Sequence, residues 1–124
     1  MQSIPVITTT GKEAVASAIA AMPMWVSLHV AEPSSIDPTA TMVNTSGPTA
    51  VPVSWDVHGS VLSNRSEIVF QGVAPDSVVS WVAVSLDPDA NRIAFYGDLA
   101  DSVYGSGSWS SFTLGPNTIK LIIG

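Results

Sequence analysis

Apolar and polar residues alternate along most of this chain, and in one short stretch the apolar ones recur at helical spacing instead. The helical stretch comes first. Thr10 followed by Glu13 reads as a capping box with Thr10 as N-cap. Ala14, Val15, Ala18, Ile19 and Met22 then recur every three or four residues until Pro23 stops the pattern. The spacing predicts a helix over 11–22, too short to hold its shape alone and therefore docked on the rest of the chain. Residues 1–9, with Ile4, Pro5, Val6 and Ile7, read as extended. They form either an added edge strand or an arm laid on a neighbour.

After Pro23 the period becomes two. Met24, Val26, Leu28 and Val30 share one face of a predicted strand, and Trp25, Ser27 and His29 share the other. Residues 33–50, rich in Pro, Ser and Thr, read as a long irregular connection with a short strand near Thr41–Val43. Val51, Val53, Trp55 and Val57 alternate with polar residues in a second strand, where Pro52 belongs at an edge or a start. Shorter strands follow at Val61-Leu62 and Glu67–Gln71. Val78–Leu86 is a nearly continuous apolar run, as in a central strand covered on both faces. Asp87–Asn91 turns into a hairpin partner at Arg92–Tyr96. Gly97–Gly107 reads as loop, and Trp109–Leu114 and Thr118–Ile123 as a closing hairpin about Gly115-Pro116-Asn117. The sum is a mainly β chain: a single antiparallel β-sandwich, or a barrel-like relative, of seven or eight strands with one short N-terminal helix, spanning residues 10–124.

Composition narrows the functions. At 124 residues the chain is one domain's worth, long enough to bury a core. It has no cysteine, which excludes disulfides and thiolate metal sites, and two histidines, which exclude a multi-His site. Lys and Arg total 4 against 10 Asp and Glu, for a net charge of −6, so nucleic acid is a poor partner. No apolar run approaches the ~20 residues of a membrane span, and the Met1 end has neither the basic region nor the apolar stretch of a signal peptide. Charged residues make up 11% of the chain, against about 25% in an average soluble domain. Either the surface is made polar by Ser and Thr turns, or much of it is covered by neighbouring subunits, whose interface cores exclude charge.

No catalytic constellation is legible. His29 on its strand face is explained better as a packed or edge histidine than as a base, and His58 sits before a turn glycine. Asp87, Asp89 and Asn91, with Asp98 further on, have the outline of a calcium loop. Arg92 occupies the position of the sharp-turn glycine, so a hairpin turn explains them better. Trp55 and Trp81 read as core residues. Trp25 and Trp109 alternate with serines, which leaves three readings open: packing under the helix or a loop, anchoring a protein neighbour, or stacking on sugar rings.

The order of segments resembles the small virion proteins of tailed phages, the tail-fibre-like or minor tail proteins common among phages of actinobacteria. An Ala-rich helix is followed by Trp25–Ser34, similar to the family's "aLHtaDP" strand in Leu28, His29, Ala31 and Pro33, with Glu32 in place of Asp. Val53-Ser54-Trp55, Leu62-Ser63-Asn64, Ile68-Val69-Phe70, Val78–Leu86 and Phe95–Leu99 resemble later family segments in the same order. The chain departs from the pattern in lacking a Gly-rich stretch after Pro33 and a Tyr-x-Arg before the Trp55 segment. The resemblance implies a non-enzymatic β-sandwich of the virion without a cofactor, assembled in the host cytoplasm. It would dock in many copies on other virion proteins and on itself, as a minor tail component. The alternatives are a decoration protein on the capsid and a carbohydrate-binding receptor module using Trp25 or Trp109 with loop 105–111. Ile4, Val6, Ile7, Trp25 and Trp109 are the expected contact residues; none is expected to be catalytic or to hold a metal.

Overall fold

The computed structural model describes residues 6–34, 36–75, 77–104 and 110–124, without the side chains of 100–104 and 110. The helix, α1, spans Thr9–Ala20 and is capped by Thr8 rather than Thr10. Thr8 holds extended backbone, and its Oγ1 accepts from the Gly11 N–H at 3.1 Å. Thr10 lies inside the first turn, where it cannot cap. The helix ends two residues before the predicted Met22. The residue preceding a proline is pushed out of helical backbone, and the Met22 N–H turns to the Ile19 carbonyl at 3.0 Å. Ala16 is fully buried, and Ile19 and Ala20 pack against the core. Thr8→Ala removes the cap and is expected to cost about 1 kcal/mol, measured by urea unfolding; Thr8→Asn should restore most of it.

The strands are β1 Met24–His29, β2 Ala50–Val53, β3 Trp55–His58, β4 Val61–Asn64, β5 Ile68–Val73, β6 Val78–Ser85, β7 Ile93–Tyr104, β8 Ser110–Leu114 and β9 Lys120–Ile122. They form a four-stranded sheet ordered β2-β1-β6-β7, a three-stranded sheet β3-β4-β9 and a pair β5-β8, all antiparallel. Val26, Val84, Leu62, Phe70 and Leu114, from all three sheets, meet in one core. Helix α1 lies on β3 and β4. The chain is thus a mainly β domain with one short helix, as expected, and among the described residues its sheets do not close into a barrel. β6 is central, between β1 and β7, with Val82–Ser85 buried.

Four local expectations change. The run predicted as one strand over 51–57 is two, β2 and β3, which part at Ser54 and enter different sheets. The Ser54 carbonyl accepts from the Arg65 N–H at 2.9 Å at that break. The stretch near Thr41–Val43 is an isolated bridge, His29 to Met42, rather than a strand. Loop 97–107 is replaced over much of its length by β7, which runs on to pair Val103 and Tyr104 with Val79 and Val78 after a bulge. The closing hairpin is not formed: β8 pairs with β5, and β9 pairs with β4. Asn64 explains the last change. Its side chain donates to the carbonyls of Ser66 at 3.0 Å and Gly115 at 2.8 Å and accepts from the Ile119 N–H at 2.9 Å. The β4–β5 and β8–β9 segments therefore bend together at one corner and pass from one sheet to the next as a paired ribbon.

Candidate functional site

The two faces of the four-stranded sheet behave differently from a one-sided sheet. Met24, Val26 and Leu28 enter the core, but Ser27, His29, Ala83 and Ser85 on the opposite face have 0% exposure. The segment after β1 is tied back over them. His29 Nδ1 is hydrogen-bonded to Thr41 Oγ1 and its Nε2 to Ser27 Oγ, both at 2.8 Å. The Tyr96 hydroxyl donates to Glu32 Oε1 at 2.9 Å, joining β7 to the same segment, which holds the Tyr96 hydroxyl above the usual phenol range. Ser85 Oγ donates to the Asp87 carbonyl at 2.9 Å. Burial lowers the His29 pKa from 6.5 to about 4, so the ring is neutral at neutral pH. A seryl hydroxyl beside a neutral imidazole has the parts of a nucleophile and base, yet no substrate reaches a pair with 0% exposure. His29 is a packed histidine that fastens a loop.

The acidic turn is likewise used up by its own backbone. Asp87 accepts from the N–H groups of Asn91 at 3.1 Å and Arg92 at 2.7 Å, and Ala90 turns the chain at φ 58°. Among the described residues no three of His, Asp and Glu gather as metal ligands. His58 is exposed before Gly59, whose φ is 63°.

One feature with binding geometry lies between sheets. β7 and β9 are end strands of their sheets, each with one strand partner among the described residues. A groove of about 320 Å³ runs between them. Val82, Val84, Phe95 and Leu121 supply apolar lining, and Asp98 and Lys120 are its charged members. On β9, Ile122 is 70% exposed. A free strand edge beside an apolar floor can accept an extended peptide, with main-chain hydrogen bonds for affinity and side-chain seats for specificity. Alternation along Phe95, Gly97 and Leu99 was the available sign that β7 turns one face inward. That β9 lies opposite was invisible, because β9 reaches its place by pairing with β4.

Of the expected contact residues, Val6 is 85% exposed and Ile7 46%. Trp25 is half-buried on the four-stranded sheet, opposite Pro52 and Ser85. Trp25 lies within β1, whereas Val6 and Ile7 precede α1. Ile4, Trp109 and residues 105–109 of the expected Ser-rich loop 105–111 lie outside the described residues, and Ser110 and Ser111 belong to β8 rather than to a loop. Trp55 is buried, as expected, against Phe95 with ring centroids 6.0 Å apart, whereas Trp81 is half-buried beside Tyr96 at 5.9 Å. The pairing of Tyr96 with Glu32 had no local sign, since 64 positions separate them. No family model matches the chain, and no curated protein matches it in sequence.

Proposed function

We propose that this chain is a structural subunit of a bacteriophage virion, a minor tail or tail-fibre-like component that acts by binding other virion proteins rather than by catalysis. The observation that carries the reading is the apolar groove between β7 and β9, each with one strand partner among the described residues, on a chain with only 11% charged residues. Covering such a surface takes few charges out of water, Asp98 and Lys120 being the charged members of the groove. Val6, Ile36 at 95% exposure and Ile122 add large apolar side chains held in water by the isolated domain. The sealing of His29 agrees with a role without chemistry, and the reading calls on no cofactor. The sequence resemblance supplies the phage context.

Immunogold labelling of purified virions with antibody to this chain tests the proposal. Label along the tail is the expected result. Label on the head would make the chain a capsid decoration protein instead, and absence from the particle would end the virion reading.

A further inference from the structure

We propose that the groove between β7 and β9 takes the segment 1–7 of a second copy of this chain, with Ile4 and Val6 seated on its apolar floor. The inference deepens the proposed function by naming a partner for the groove, and it takes from that reading only the crowding of copies on a particle.

The segment and the groove match in four respects. The chain enters α1 through Thr8, whose backbone is extended at φ −80° and ψ 168° as an N-cap requires, so the segment joins the helix through a residue already out of helical conformation. In extended backbone Ile4 and Val6 point to the same side, and the groove offers the half-buried Phe95, Leu99 and Leu121 to receive them, above the buried Val82 and Val84. Their main-chain groups also point the same way in the plane of a sheet, so both pair with one strand edge. Pro5 between them has no N–H and turns toward the other side, where its missing donor is harmless. The segment therefore suits addition to one edge, with the second edge closing the groove by contact. Finally, residues 1–7 carry no charged side chain, so seating Ile4 and Val6 brings no side-chain ion onto the apolar floor.

The donor is a second copy because of Val6. At 85% exposure it is turned away from its own domain rather than laid in its own groove. One inserted segment of seven residues buries less than the ~1,000 Å² of a lasting interface. The exchange is therefore weak for two free molecules and gains strength where many copies stand side by side.

The absence of cysteine makes a clean test possible. A Cβ added at Gly97, which lines the groove, meets nothing within 4 Å, so Gly97→Cys is accommodated. Val6→Cys falls on an exposed position. The two single variants are mixed at high concentration under mild oxidation. The control mixes Val6→Cys with Thr49→Cys, an exposed site beside β2 at the far end of the same sheet. The Val6–Gly97 mixture is expected to give the mixed disulfide dimer about ten-fold faster than the control, through the raised effective concentration of docked thiols. Adding Ile4→Ser to the Val6→Cys chain should remove the advantage. Equal rates in the two mixtures overturn the proposal. So does a Val6→Cys/Gly97→Cys double variant that closes within one chain while the mixed singles do not cross-link. Cross-link failure with virion labelling intact overturns the exchange alone; cross-linking in a chain absent from virions supports the exchange and removes the virion reading.

Discussion

Replacing Asn64 with alanine is expected to lower the unfolding free energy by about 3–5 kcal/mol. Asn64 is fully buried, and its amide joins three backbone groups from two segments: Ser66, Gly115 and Ile119. Its own carbonyl accepts from the Asn117 N–H at 2.9 Å, a main-chain bond the substitution leaves in place. Each side-chain hydrogen bond contributes about 1 kcal/mol, and a buried group left without its partner costs about 1–3 kcal/mol more. Asn64→Asp keeps the acceptor for Ile119 but faces two carbonyl oxygens with a carboxylate, and should be destabilising as well. Because Ile119 and Leu121 line the groove, the damage reaches the proposed binding surface. Urea unfolding followed by tryptophan fluorescence measures the loss; a change below about 1 kcal/mol would mean the corner is held by something else.

Acid should weaken the protein through His29. The folded pKa, about 4, lies below the ordinary 6.5 because burial disfavours the charged ring. In the unfolded chain the ring takes a proton first as pH falls. Stability from this group is therefore whole above pH 6.5, declines as pH falls toward 4, and is fully lost below that. At ~1.4 kcal/mol per unit of difference, the total loss is about 3 kcal/mol. Unfolding midpoints measured across the same window should fall in the wild type. His29→Gln, which has no proton to take up there, should start less stable and show a flatter profile. A wild-type slope no steeper than that of the variant would show that His29 titrates as it does in water. The loop fastened by Thr41 is the first region expected to open, and hydrogen exchange in residues 30–42 reports it.

Much of the local structure was legible because it has local causes. Period-two alternation marked β1 to within a residue or two, and the dense apolar run marked β6 as central. The short helix was found with its ends displaced: three threonines in a row each offer a cap, and the helix uses Thr8. His29, read as a packed or edge histidine, is packed, although nothing nearby in sequence pointed to Thr41 as its partner.

What could not be read was partnership. The alternation of Val51, Val53, Trp55 and Val57 is unbroken, yet the chain changes sheets at Ser54. The turn at Gly115-Pro116-Asn117 has the composition of a hairpin, yet Asn64, some fifty residues away, captures it and sends β8 and β9 to different strands. The groove follows from that capture. By itself, the sequence determined the class of the domain, the faces of its strands and its poverty in charge, because these depend on residue type and spacing. The tertiary structure decided which strands end their sheets among the described residues and that two of them border one apolar groove, because strand pairing is settled by hydrogen bonds between distant segments and alternation carries no record of the partner.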